Sequence, residues 1–157
     1  MRRPNLRILV PSIAITLGVV VVGYGVSTAV TGRDAQHLPV AVEQVDPVPD
    51  AKQVPRQTRV FVDLQSGYEA ELTIDGVVLA TTNLADLAID NPEPGKQVSV
   101  PLTAIFDPGN YSISYRPSPD GPVKPLASGL HAVTVVYWKT VDGRDRALSY
   151  SWSFTVV

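Results

Sequence analysis

The sequence predicts an all-β fold, a β-sandwich of about seven strands that follows one transmembrane helix and a disordered linker. Three observations support this prediction: a 23-residue apolar run near the N-terminus, a proline-rich stretch behind it, and an alternation of period two from residue 58 onward. They divide the chain into a basic cytoplasmic stub (1–7), a helix (8–30), a linker (31–57) and a sandwich domain (58–157).

The apolar run predicts both a membrane span and its orientation. Residues 8–30 contain no charged side chain, and as a helix they reach roughly 35 Å, enough to cross a hydrocarbon core of about 30 Å. Arg2, Arg3 and Arg7 precede the run, whereas Arg33 alone follows it closely. Because basic residues are retained on the cytoplasmic side, the N-terminus is predicted to be cytoplasmic and the rest of the chain extracytoplasmic.

A cleaved signal peptide is the alternative for this segment. The small residues Ser27-Thr28-Ala29 offer a cleavage site, but the apolar part of a signal peptide usually spans only about 7–15 residues. The length therefore favours an uncleaved signal anchor. The protein is then an integral, single-pass protein of the plasma membrane with its C-terminal domain outside the cytoplasm.

The stretch 31–57 is predicted to be a disordered, semi-stiff tether. It has few aromatic residues and no sustained periodicity, so it buries too little apolar surface to offset the entropy of ordering. One alternative concerns residues 38–42, which are apolar enough to dock as an edge strand. The prolines of the stretch are Pro39, Pro47, Pro49 and Pro55.

From residue 58 the apolar side chains alternate as expected of strands with one face in a core. Asp75-Gly76 and Asp142-Gly143 are signals for tight hairpin turns between such strands. The predicted inward-facing sets are Val60, Val62 and Leu64; Ala70, Leu72 and Ile74; Val98, Val100 and Leu102; Tyr111, Ile113 and Tyr115; and Leu148, Tyr150, Trp152, Phe154 and Val156.

The C-terminal strands carry a resemblance to a known class of domain. Residues 129–135, the Asp142-Gly143 turn and residues 152–156 resemble the last two strands of bacterial immunoglobulin-like (Ig-like) or fibronectin-III-like domains. The layout as a whole is similar to uncharacterised single-pass membrane proteins of high-GC Gram-positive bacteria. This resemblance implies an Ig-like sandwich, and it implies that His131 is a structural corner residue bonding back to the loop 126–129.

Periplasmic copper-resistance proteins also resemble this chain in using an Ig-like sandwich with a similar closing strand pair. That resemblance implies copper ligands at an N-terminal histidine and at further histidines or methionines. Here the apolar run occupies that terminus, Met1 is the only methionine, and there is no cysteine. The aspartates match no calcium-loop spacing. The sequence therefore predicts no metal and no cofactor.

Other functional classes are disfavoured by composition. Residues 31–157 carry ten basic and fifteen acidic side chains, a net charge of −5 that argues against binding nucleic acid. No arrangement of a nucleophile and a base is visible, because His131 is the only imidazole of the predicted domain. The protein is therefore predicted not to be an enzyme.

One exposed apolar surface is predicted to mediate binding. Strand residues 130–139 are apolar on both faces, so Val136 and Trp138 require a covering loop or a partner, and Phe61 joins them if its strand lies nearby. The predicted function is a non-enzymatic interaction module for another cell-envelope protein. One alternative is a small-ligand or glycan-binding domain, which needs Tyr68, Tyr111 or the loop 117–125 to cluster in the open, and the other is a metal-handling protein.

Overall fold

The computed structural model describes residues 6–27, 36–87 and 101–157, which fall into two separate compact units. The first unit contains helix α1 (Leu6–Ser27). Within the described residues, no helix is both long enough and apolar enough to cross a membrane. Arg2, Arg3 and residues 28–30 lie outside the described part, as does the side chain of Arg7, so the span 8–30 and its orientation stay predictions.

The second unit, residues 36–157, is a β-sandwich, and the predicted fold class is confirmed at that level. Its two sheets have five strands in the order β1-β2-β7-β6-β5 and four strands in the order β4-β3-β8-β9. Neighbouring strands are antiparallel except β5 and β6, which are parallel. The strands of the described residues are β1 (Val42–Asp46), β2 (Val60–Leu64), β3 (Tyr68–Ile74), β4 (Val77–Val78), β5 (Thr81–Asn83), β6 (Ala104–Asp107), β7 (Ser112–Tyr115), β8 (Gly129–Lys139) and β9 (Leu148–Val156).

Short helical segments also occur among the described residues of the sandwich. Helix α2 (Leu84–Leu87) follows β5, and the side chain of Asn83 caps it by accepting a hydrogen bond from the Ala85 N–H at 2.9 Å. A 3₁₀ turn (Arg144–Arg146) lies in the connection between β8 and β9.

The core lies between the sheets and follows most of the predicted alternation. Val60, Val62 and Leu64 of β2 are buried, and so is the inward set of β3. The Asp75-Gly76 hairpin is also confirmed, with both residues at positive φ (49° and 80°), as a two-residue turn between right-twisted strands requires. The remaining buried apolar side chains of the core include Ile113, Tyr115, Val133, Val135, Tyr137, Trp152, Phe154 and Val156.

The ends of some predicted sets differ from the structure. Leu148 at the start of β9, the edge strand of its sheet, is 62% exposed although its cross-strand neighbour Tyr137 is buried. Leu102 is 45% exposed and precedes β6, whose inward residues are Ala104 and Phe106. Val98 and Val100 lie outside the described residues.

The predicted linker 31–57 is wrong from residue 36 onward, because this segment belongs to the sandwich. β1 pairs with β2 and buries Val42 and Val45 completely. Residues 50–54 then run along β9, where the Asp50 N–H donates to the Ser153 carbonyl at 2.8 Å and the Thr155 N–H to the Ala51 carbonyl at 2.7 Å. The domain therefore begins near residue 36 rather than at 58.

Candidate functional site

An aromatic cleft lies where the first residues of β3 approach the β5–β6 side of the other sheet. It is a cavity of about 560 Å³ to which both sheets contribute. We call it the aromatic cleft and define it by Tyr68, Glu69, Asn83, Phe106, Tyr111 and Trp138. The volume falls within the range of about 300–1,000 Å³ that is typical of small-molecule sites.

Local sequence determines where the aromatic side chains stand. Tyr68 follows Gly67 (φ 83°), and its ring centroid is 6.1 Å from that of Tyr137 at an interplanar angle of 59°. Trp138 is on β8 and pairs with Glu69 of β3 across the strands. Because Tyr68, Tyr111 and Trp138 are each half-buried, their rings are partly open to a ligand.

The turn that positions Tyr111 is held by Asp107. Its carboxylate accepts hydrogen bonds from the Asn110 side chain at 2.7 Å and from the Gly109 N–H at 2.9 Å. These two bonds, the first above all, hold the pKa of Asp107 below its ordinary value. Tyr111 takes a positive φ of 52°, and its carbonyl accepts a hydrogen bond from the Leu64 N–H at 3.0 Å. The backbone at Tyr111 is therefore held in place by hydrogen bonds on both sides of the turn.

Glu69 gives the aromatic cleft its charge. It is the only charged side chain among the described residues that line the cavity. The residue is half-buried and forms no salt bridge with any described residue. Glu71, two residues along the same strand, is by contrast paired with Arg144. The cleft thus combines aromatic rings with one negative charge that no described basic side chain compensates.

The residues of the predicted apolar patch occupy two different sheets. Val136 and Trp138 stand half-buried on the outer face of β8, where Arg144 reaches over from the β8–β9 connection to bond Glu71. Phe61 stands on β2 in the five-stranded sheet, with the Arg59 guanidinium 4.9 Å from its ring centroid. Phe61 therefore does not join Val136 and Trp138, and Trp138 instead lines the aromatic cleft.

His131 links the β3–β4 hairpin to the loop before β8. Its Nδ1 is 2.7 Å from a carboxylate oxygen of Asp75, and its Nε2 is 2.7 Å from the carbonyl oxygen of Ala127, within the loop 126–129. The other Asp75 oxygen accepts the Ala132 N–H at 3.0 Å. Burial lowers the pKa of His131, but the bonds to Asp75 and Ala127 outweigh it and raise the pKa above its ordinary value.

The described residues do not form a metal site. They contain no group of three or more histidine, aspartate or glutamate side chains that converge on one point. Both ring nitrogens of His131 are engaged by oxygens, so the imidazole has no lone pair free for a metal unless one of these contacts is displaced. His37 is exposed.

Comparisons with known proteins bear on the fold. No protein-family model matches the chain, and no curated protein sequence matches it. Among solved structures, CopC from Methylosinus trichosporium OB3b is similar at 14% identity and a TM-score of 0.45, over 73% of this chain and 90% of that one. PcoC from Escherichia coli, a copper resistance protein, is similar at 11% identity and a TM-score of 0.43, over 74% of this chain and 98% of that one.

The structure contradicts the basis of the predicted function, an interaction module for another cell-envelope protein, because Phe61 lies in one sheet and Val136 and Trp138 lie in the other. The prediction failed because it rested on an apolar patch that needed a partner. In the structure, Trp138 contributes instead to a cavity, and Val136 is half-buried opposite Glu71, which is paired with Arg144.

Proposed function

We propose that the domain binds a small organic cation in the aromatic cleft. The observation that supports this proposal is Glu69, which is half-buried, forms no salt bridge with any described residue, and lines the cavity together with Trp138, its cross-strand neighbour. An aromatic face carries negative potential and attracts a cation by about 0.5–2 kcal/mol, most strongly when the ring is tryptophan. A carboxylate at the same site adds a direct charge partner.

The other lining residues are consistent with a positively charged ligand. Tyr68 and Tyr111 add two more rings, and the described lining contains no basic side chain that would repel a cation. Asn83 is already used as the cap of α2, so the amide donors and acceptors that a neutral sugar would require are fewer. The chemistry therefore favours an ammonium or quaternary ammonium group over a sugar or an anion.

A titration of the purified full-length chain with choline tests this proposal. We expect saturable binding, followed by tryptophan fluorescence or calorimetry, that weakens by about tenfold or more in Glu69→Gln because one charge-assisted interaction is lost. Trp138→Leu should weaken it by a smaller factor, about threefold to thirtyfold, through loss of the cation–π contact. Glu43→Gln is the matched control, since Glu43 is exposed on β1 of the other sheet.

Two results would contradict the proposal. One is choline binding that Glu69→Gln leaves unchanged. The other is binding of neutral monosaccharides, sensitive to Trp138→Leu, in the absence of any choline binding. That second pattern would assign the aromatic cleft to uncharged ligands.

We further propose that the domain acts outside the cytoplasm and performs no chemical reaction. The three arginines that precede the apolar run 8–30 support that location. The absence of a nucleophile–base pair in the sequence pattern supports a binding role.

Metal handling is a second candidate, supported by the contact between the His131 imidazole and the Asp75 carboxylate. These two side chains supply two ligands, so a metal would have to displace one of the present hydrogen bonds and gain a further ligand. This candidate predicts that the full chain retains one Cu²⁺ per molecule after equilibrium dialysis, and that His131→Asn loses it. Retention of no copper, or equal retention by His131→Asn and the unaltered chain, would remove this candidate.

A further inference from the structure

A second cavity, distinct from the aromatic cleft, lies on the outer face of the five-stranded sheet. It measures about 570 Å³. Its floor includes Ile105 of β6 and Ser114 of β7, which are direct neighbours across the strand pair. Its walls come from residues 101–103 and from the loop 116–125. We call this cavity the arginine pocket, because Arg59 and Arg116 both line it.

The loop that walls the arginine pocket is held in place by Tyr115. The buried Tyr115 hydroxyl donates to the Val123 carbonyl and accepts from the Val123 N–H, both at 3.2 Å. A side chain at Gly121 would place its Cβ only 2.7 Å from that hydroxyl, so the loop closes tightly over it. Pro117, Pro119 and Pro125 of the same loop restrict the backbone further. The wall is therefore preorganised rather than assembled by a ligand.

Both arginines of the pocket are without an acidic partner in the part of the chain that the structure describes. Among the described residues neither guanidinium forms a salt bridge, and no acidic side chain lines the cavity. Arg59 stacks over Phe61, which keeps its planar group near the sheet surface. Ser114, Ser118 and Thr103 add hydroxyl groups to the same lining. Two positive charges thus face one cavity in a chain whose net charge is −2.

We propose that the arginine pocket binds a small organic anion, a carboxylate or phosphate ester attached to an apolar body. Guanidinium groups bind such anions through paired, charge-assisted hydrogen bonds, which are about twice as strong as neutral ones. The proline side chains, Leu102 and Ile105 provide the apolar walls against which the body of the ligand packs. This site is independent of the aromatic cleft, because the two cavities share no lining residue among those described.

Titration of the full-length chain with phenyl phosphate and with benzoate tests this inference. We expect saturable binding of at least one of them, and the stronger of the two identifies the anion. Inorganic phosphate should bind more weakly because it lacks the apolar body, and phenol should not bind because it lacks the charge. Arg116→Gln should weaken binding by about tenfold or more, and the double variant with Arg59→Gln should abolish it.

The matched control is Arg146→Gln, which removes an exposed arginine in the 3₁₀ turn, outside both cavities. It should leave phenyl phosphate and benzoate binding unchanged, and Arg116→Gln should leave choline binding unchanged. The inference is overturned if neither anion binds at millimolar concentration. It is equally overturned if the arginine variants bind as tightly as the unaltered chain.

Discussion

A chain that begins at Thr58 should fail to fold, whereas a chain that begins at Gln36 should unfold cooperatively. The reason is that residues 36–57 bury Val42, Val45 and Val54 in the sandwich, at 0%, 0% and 6% exposure. A fully buried valine contributes about 1.5–3 kcal/mol, so the three together approach the 5–15 kcal/mol that stabilises an ordinary domain.

The same deletion uncovers both sheets at one edge. β1 is the edge strand that pairs with β2 in the five-stranded sheet. Val54 pairs with Val156 of β9, which is the edge strand of the other sheet. Loss of both would leave unpaired backbone groups next to exposed apolar side chains, which favours aggregation.

Circular dichroism and urea denaturation of the two truncated chains provide the measurement for this prediction. The chain 36–157 is the control, since it retains the whole second unit. A cooperative unfolding transition in the chain 58–157, with a midpoint equal to that of the longer chain, would show that residues 36–57 are dispensable. The domain boundary would then lie at 58 after all.

The missed strand shows why the domain boundary was not predictable from periodicity. β1 contains a bulge between Val42 and Gln44, so its two buried residues, Val42 and Val45, are three positions apart. A search for alternation of period two does not find this spacing, because an inserted residue shifts the side chains that follow it to the opposite face. The flanking prolines then favour the interpretation as a linker.

Regular strands were predictable because both of their faces obey simple rules. β2 and β3 alternate strictly, and Asp75-Gly76 between β3 and β4 supplies the two positive φ angles that the hairpin needs. These features depend only on neighbours in sequence. The inward faces of these strands are therefore predictable without knowing which strands pair.

The aromatic cleft depends instead on how distant segments pair. Tyr68, Tyr111 and Trp138 come from three separated parts of the chain, and the order of strands in two sheets brings them together. Sequence patterns identify aromatic residues but do not give the order of strands in a sheet. A ligand site could therefore be predicted only on the condition that aromatics such as Tyr68 and Tyr111 cluster in the open. The arginine pocket is not predictable from the sequence for the same reason, since Arg59 precedes β2 and Arg116 follows β7.

Replacing Trp152 by alanine should destabilise the domain by about 3–5 kcal/mol, the cost typical of removing a buried tryptophan. Its side chain is 6% exposed and stacks on Tyr150 at 5.6 Å between ring centroids. Its indole N–H also donates to the carbonyl of Pro47 at 2.9 Å, which joins β9 to the N-terminal segment. The destabilisation therefore has three sources: the cavity that replaces the indole, the lost stacking contact and the lost hydrogen bond to Pro47.

Urea denaturation of a graded set of variants separates these contributions. Trp152→Phe keeps most of the buried ring but leaves the Pro47 carbonyl without its donor, so about 1–3 kcal/mol should be lost. Leu130→Ser is the control, because Leu130 is 73% exposed on the neighbouring strand β8 and its replacement should change stability by less than about 0.5 kcal/mol. If Trp152→Ala is no more destabilising than Leu130→Ser, then β9 and residues 47–54 are not packed together as the structure has them. The assignment of residues 36–57 to the sandwich would fail with that packing, because Trp152 and the truncated chains test the same contact from its two sides.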